Sequence, residues 1–170
     1  MPSSARDRHP RARVIVILMG VSGSGKSTIG EPLAARLGVP FLDADEFHPP
    51  ENVAKMAAGT PLTDADRGPW LERLNEKLRR LPDAVLACSA LKESYRQTLS
   101  SGIADCRFAY LRGSIELIQS RLADRRHRYM PASLLQSQFA TLEPPQGAIE
   151  VDIRHSVEDC VAEIQARLRA

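Results

Sequence analysis

Cysteine is scarce in this chain, and each one stands alone. Cys88, Cys106 and Cys160 are the only three. Their spacing fits neither a zinc site nor a disulfide framework. They read as small buried thiols in a reducing compartment, the cytoplasm. Long apolar runs are missing as well. No stretch approaches the roughly 20 residues that a membrane helix needs, so no membrane partner is expected. Residues 1–13 hold no apolar segment, which argues against a secretory leader there. They are rich in Ser, Pro and Arg and read as a disordered tail. Excess positive charge is also lacking where it would matter. The net charge is +2, and the tail supplies more than all of it through Arg6, Arg8, Arg11 and Arg13 against Asp7. The remainder is close to neutral, so a nucleic-acid partner is not expected. Internal repeats and low-complexity blocks are absent beyond the tail.

What is present suits one soluble domain over residues 14–170. The chain has 170 residues, 43% of them hydrophobic and 26% charged, which is enough to build a full core. Short apolar runs alternate with helical patterns, the signature of an α/β fold with a parallel sheet. Five strands are predicted: Val14 to Met19, Pro40 to Asp43, Ala84 to Cys88, Arg107 to Leu111, and Ala148 to Ile153. Together they make a three-layer α/β/α sandwich. Leu71, Leu74, Leu78 and Leu81 stripe a helix after Pro69-Trp70, with a capping box at Thr63 and Asp66 just before it. Ile115, Ile118 and Leu122 stripe another helix. Val157, Val161, Ile164 and Leu168 stripe the last. Gly30 and Pro32 are local misfits inside an otherwise helical segment. Two long segments, 46–68 and 125–145, are too long for simple connections. They are placed as an acceptor-side segment and a lid that excludes water.

The strongest motif is Gly20-Val21-Ser22-Gly23-Ser24-Gly25-Lys26-Ser27, followed by Thr28. It matches the phosphate-binding loop. A buried, charge-free strand precedes it and a helix follows it, which is the context the loop requires. Its glycines let backbone N–H groups approach phosphate oxygens, and the helix start adds a positive dipole end. Lys26 is placed on the β- and γ-phosphates of ATP, and the Ser27 hydroxyl on Mg²⁺. Gly20 through Thr28 are therefore the candidate nucleotide-binding residues. The guanine-reading Asn-Lys-x-Asp motif is absent, which argues against a GTPase switch. Absent too is an acid at the end of the third strand, Ala84 to Cys88, where many such enzymes carry an Asp.

Beyond the loop, three further blocks resemble the gluconokinases, kinases that phosphorylate D-gluconate at its 6-hydroxyl. One is Asp43-Ala44-Asp45-Glu46-Phe47-His48-Pro49, continuing through Asn52, Lys55-Met56, Gly59, Pro61-Leu62, Asp64, Asp66-Arg67 and Pro69-Trp70-Leu71. Another is Cys88-Ser89-Ala90-Leu91-Lys92 with Tyr95-Arg96. The last is Met130-Pro131, Leu134 to Phe139, and Thr141 to Pro144. The resemblance runs from about Val14 to the C-terminal helix. It implies ATP, Mg²⁺, a shikimate-kinase-like fold and a homodimer. One departure lies in the lid, where the family commonly has Gly-His-aromatic before the methionine and this chain has His127-Arg128-Tyr129.

Roles follow from residue chemistry within that resemblance. Asp43 and Asp45 stand two apart at a strand end, so both carboxylates are expected on one face. Asp45 is assigned to the attacking hydroxyl and Asp43 to the metal side, with the reverse order as the alternative. His48, Arg67, Ser89, Lys92 and Arg96 are the candidates for holding the sugar acid, with Arg67 first for the carboxylate. Arg121 and Arg125 lie one helical turn apart and are assigned to the transferred phosphoryl group. Rival readings are a kinase for shikimate, adenylylsulfate or a nucleoside monophosphate, and a nucleotide-gated binding protein.

Overall fold

The computed structural model describes residues 13–123 and 132–169. The tail assigned to 1–13 therefore lies outside the described residues except for Arg13. So does the lid stretch 124–131, with Arg125, Arg128 and Met130.

A five-stranded parallel sheet runs through the middle. Its strands are β1 (Ile15–Met19), β2 (Phe41–Asp43), β3 (Ala84–Ala87), β4 (Cys106–Arg112) and β5 (Ile149–Asp152). They lie in the order β2-β3-β1-β4-β5, every pair parallel. The helices are α1 (Lys26–Leu37), α2 (Pro50–Ala57), α3 (Asp64–Arg79), α4 (Glu93–Ser100), α5 (Ile115–Ala123), α6 (Ala132–Thr141) and α7 (Val157–Arg169). All five expected strands are found. No helix among the described residues is long and apolar enough to cross a membrane.

The central strand shows why the sheet needs two cores. Every residue of β1 is buried. Its side chains alternate between faces, as a strand requires. Val16 and Leu18 enter one cluster with Ile29 and Leu33 of α1, Ile118 of α5, and Val161 and Ile164 of α7. Ile15, Ile17 and Met19 enter the other with Trp70, Leu71, Leu74 and Leu78 of α3 and Leu99 of α4. A continuous apolar run is thus the mark of a strand covered on both sides.

Two local features differ from their expected form. Helix α3 begins at the capping box itself, five residues before Pro69. Thr63 Oγ1 accepts from Asp66 N–H at 3.1 Å, and Asp66 Oδ2 accepts from Thr63 N–H at 2.9 Å. Pro69 lies inside the helix and costs it one backbone bond, which the buried Trp70, Leu71 and Leu74 beyond it outweigh. Gly30, the other misfit, has a packing reason. A Cβ there would stand 2.6 Å from the Phe41 ring and 3.1 Å from Leu18. The missing side chain lets α1 lie against β1 and β2. Gly30→Ala is expected to destabilise the fold by a net of about 1 kcal/mol, because overpacking exceeds the gain in helix propensity. A higher urea midpoint in the variant would contradict this.

Candidate active site

The loops after β1, β2 and β3 meet at the carboxyl end of the sheet, where open parallel sheets bind ligands. The phosphate loop joins β1 to α1. Gly20 N–H donates to Ser89 O at 3.3 Å, which ties it to the loop after β3. Gly23 has φ +81°, and a Cβ there would meet Leu122 of α5 at 2.9 Å. Only glycine fits this position. Ser24 is fully buried, and its hydroxyl has no hydrogen-bond partner among the described residues. A buried orphan hydroxyl costs stability and is a feature that functional loops tolerate. Ser27 and Thr28 are exposed at the start of α1.

Lys26 folds back over the loop. Its Nζ donates to Gly20 O at 3.1 Å and to Val21 O at 3.0 Å. Burial pushes its ammonium below the ordinary range, while neighbouring Cys88, Asp45 and Asp43 pull the other way. Burial lifts the Cys88 thiol to about 12, so it stays neutral at the end of β3. Both aspartates are near enough for their charges to act on the loop lysine.

The strand geometry expected for that pair is replaced by a tighter one. β2 ends at Asp43, and a 3₁₀ turn follows over Ala44–Phe47. Asp43 caps the turn by accepting from Asp45 N–H at 3.0 Å. Asp45 itself projects outward with 85% of its side chain exposed. His48 comes next. Its ring stacks on Trp70 at 4.1 Å between centroids, and Trp70 Nε1 donates to Ala44 O at 2.8 Å. The Asn52 amide nitrogen lies 3.3 Å from His48 Nδ1 and donates to Asp66 O at 2.9 Å. An amide nitrogen can only donate, so Nδ1 accepts and the ring proton sits on Nε2. Nε2 stands 4.0 Å from Asp45 Oδ1. Burial lowers the His48 pKa, the Asp45 charge opposes that, and the Arg67 charge adds to it. The shift favours the neutral ring, and its Nε2 stands near the Asp45 carboxylate but beyond hydrogen-bond reach.

Arg67 and Lys92 converge on Tyr95, one from α3 and the other from the N-terminus of α4. Arg67 Nη1 donates to Leu62 O at 2.8 Å and to Tyr95 Oη at 3.3 Å, with its guanidinium carbon 5.5 Å from the ring centroid. Lys92 Nζ lies 5.6 Å from the same centroid and 3.2 Å from Asp64. Tyr95 Oη donates to Asp64 in a short hydrogen bond. The hydrogen bond from Tyr95, then that from Lys92, holds the Asp64 carboxyl below its usual range. Neither Asp64 nor Tyr95 is among the residues assigned from sequence. Their partnership spans α3 and α4, a contact with no local signal in the chain. Further out, Asp66 also grips Lys55 of α2 at 2.8 Å, and this bond with the Thr63 N–H holds its carboxyl at about 2.

Two of the assigned arginines are otherwise engaged. Arg96 is buried, with Nη1 on Ala90 O at 2.7 Å, Nη2 on Glu143 O at 2.8 Å and Nε on Glu93 at 3.1 Å. It braces the turn at Ala90, a non-glycine residue at φ 45°. Arg121 donates to Ile153 O at the end of β5. Arg125 lies outside the described residues.

A loop built for phosphate, a helix start behind it and two acids whose charges act on its lysine define a phosphate-loop kinase. The shikimate kinase family model matches residues 22–142. A probable gluconokinase of Xenopus tropicalis is 42% identical, over 91% of this chain and 93% of that protein. A gluconokinase of Gluconobacter oxydans is 48% identical, over 84% and 82%. The crystal structure of a gluconokinase from Sinorhizobium meliloti superposes with a TM-score of 0.87 at 44% identity, covering 94% of this chain and 93% of that one. The adenylylsulfate (APS) kinase of Mycobacterium tuberculosis, at 18% identity and a TM-score of 0.69, shares the fold. The chain belongs to the gluconokinase family, within the shikimate-kinase group of phosphate-loop kinases.

Proposed function

We propose that this kinase transfers the terminal phosphoryl group of ATP to the 6-hydroxyl of D-gluconate, giving 6-phospho-D-gluconate and ADP. The polarity of the site carries the reading. The charges of Asp43 and Asp45 act on the loop lysine, and Arg67, whose charge acts on His48, meets Lys92 at the Tyr95 ring. An acceptor with an alcohol at one end and a carboxylate at the other matches that order. Asp64 offsets only one of the two cations, leaving one positive charge for the acid end of the substrate.

In this reading Asp45 accepts the proton of the 6-hydroxyl as oxygen attacks the γ-phosphorus and the bond to the ADP oxygen breaks. His48 Nε2–H orients the acid or a neighbouring hydroxyl. Lys26 leaves its loop carbonyls for the phosphate oxygens, and Ser89 donates to the polyol. Arg125 is a proposed ligand of the phosphoryl group, and Arg121 joins it only by leaving the Ile153 carbonyl it holds here. Mg²⁺, when bound, neutralises phosphate charge. Ser27 and Asp43 would hold it, one hydroxyl and one carboxylate beside the nucleotide's own oxygens. No cluster of three or more His, Cys, Asp or Glu that could hold a metal ion is found among the described residues, and a metal carried chiefly by phosphate needs none. A homodimer in the cytoplasm completes the proposal, the first part being open to sedimentation.

ATP consumption across gluconate, shikimate, AMP and the neutral polyol glucitol tests the reading. Gluconate is expected to lead by a wide margin, and a preference for AMP or shikimate would overturn it. Arg67→Ala is expected to raise KM for gluconate about ten- to a hundredfold, the worth of a charged hydrogen bond, with ADP affinity unchanged. Equal gluconate affinity would remove Arg67 from the site.

A further inference from the structure

The phosphate loop is held from outside by one side chain that the reaction scheme leaves unused. Gln138 lies on α6, inside the segment 125–145. Its Oε1 accepts from Ser22 N–H at 2.7 Å, and its Nε2 donates to Ser22 Oγ at 3.0 Å. Both ends of the carboxamide grip one residue, 116 positions away in sequence. Ser22 sits in the first turn of the loop, between Gly20, which is tied to Ser89, and Gly23, which is packed on Leu122.

The other end of α6 is anchored to the acceptor side. Leu142 N–H closes the helix on Gln138 O at 2.9 Å, and Glu143 N–H donates to Leu91 O at 2.8 Å. Glu143 O in turn accepts from Arg96, which also holds Ala90 O. Helix α6 thus bridges the loop after β1 and the loop after β3.

We propose that Gln138 is a positioning residue for phosphoryl transfer: its carboxamide sets the conformation of the phosphate loop at Ser22 and ties the loop to helix α6. Ser22 N–H is the only loop amide among the described residues that a side chain already satisfies. A loop fixed there presents its remaining amides to phosphate at less entropic cost. The carboxamide is suited to this because it donates and accepts at once without adding charge beside an anionic ligand. The inference rests on the kinase reading for its nucleotide, and not on gluconate as the acceptor.

The test is ADP binding by calorimetry in the absence of any acceptor, together with steady-state kinetics. Gln138→Leu keeps the bulk and loses both bonds, so ADP affinity is expected to fall about thirtyfold, as for two ordinary hydrogen bonds. KM for the acceptor and the melting temperature should stay near the parent values. Gln138→Glu still accepts from both Ser22 donors but brings a negative charge. It should retain the melting temperature while binding ADP even more weakly, with the deficit shrinking at high salt. Ser22→Ala removes only the hydroxyl bond, and its effect should be less than additive with Gln138→Leu. Unchanged ADP affinity in Gln138→Leu, full additivity with Ser22→Ala, or a loss of stability that accounts for the whole defect would each overturn the proposal. A failure of the gluconate reading would leave the ADP result untouched.

Discussion

Lys26→Met is expected to lower kcat by about a thousandfold or more, on the scale of removing a key charge-stabilising donor from an active site. The resting position of the ammonium is the reason. Without nucleotide it spends two of its three protons on Gly20 O and Val21 O. Those carbonyls belong to the loop that must receive phosphate, so the resting lysine already lies at the mouth of the anion site. Methionine matches its length and apolar stem but supplies no charge to the phosphoryl oxygens. The fold should survive, since the β1 and α1 core on either side of the loop does not depend on the ammonium. Lys26→Arg should rescue little, because a planar fork cannot replace a compact point charge in a glycine loop. Stopped-flow or coupled-assay turnover, alongside a melting curve, checks both halves. A Met variant within tenfold of the parent would show that the loop amides alone bear the transferred charge.

The parts of this molecule that are local in the chain are legible in its sequence. Strands β1 and β3 are visible because burial on both faces removes every polar residue from them, leaving runs with no alternation. The phosphate loop is visible because its chemistry demands glycines, a lysine and a hydroxyl at fixed spacing. The start of α3 is half visible. The Thr63–Asp66 capping box marks it, but Pro69 draws the expected start of the helix too far along. What stays hidden is set by contacts across the fold. Arg96 carries the same charge as Arg67, yet burial beside Ala90 O and Glu143 O makes one a brace and leaves the other on Leu62 O and the Tyr95 hydroxyl. Periodicity cannot separate them. Gln138 reads like any polar position on a helix, since its partner at Ser22 is a whole sheet away. Gly30 reads as a defect in the chain, and only the Phe41 ring packed into the space of its missing side chain explains it.

Asp45→Asn is expected to cost about a thousandfold in kcat, within the range for removing a general base, while ADP affinity and the melting temperature hold. The structure makes this substitution a clean one. The side chain is 85% exposed and makes no hydrogen bond within 3.5 Å that the fold needs. The turn that presents it is capped by its neighbour, since Asp43 Oδ1 accepts the Asp45 backbone N–H, so asparagine at 45 leaves the cap intact. Asp43→Asn preserves that acceptor as well and tests the other half of the assignment. It should raise the Mg²⁺ concentration needed for half-maximal rate and spare the rate at saturating metal. If the two variants exchange behaviours, the acids exchange roles: Asp43 takes the hydroxyl and Asp45 the metal side. If both turn over at the parent rate, neither carboxylate handles the proton, and the polarity argument for an alcohol end next to Lys26 fails with them. The neutral His48 sharpens the test. With its Nε2–H facing the residue 45 side chain at 4.0 Å, asparagine there keeps an acceptor but cannot take a proton. A lost rate with unchanged gluconate affinity therefore isolates proton transfer from binding.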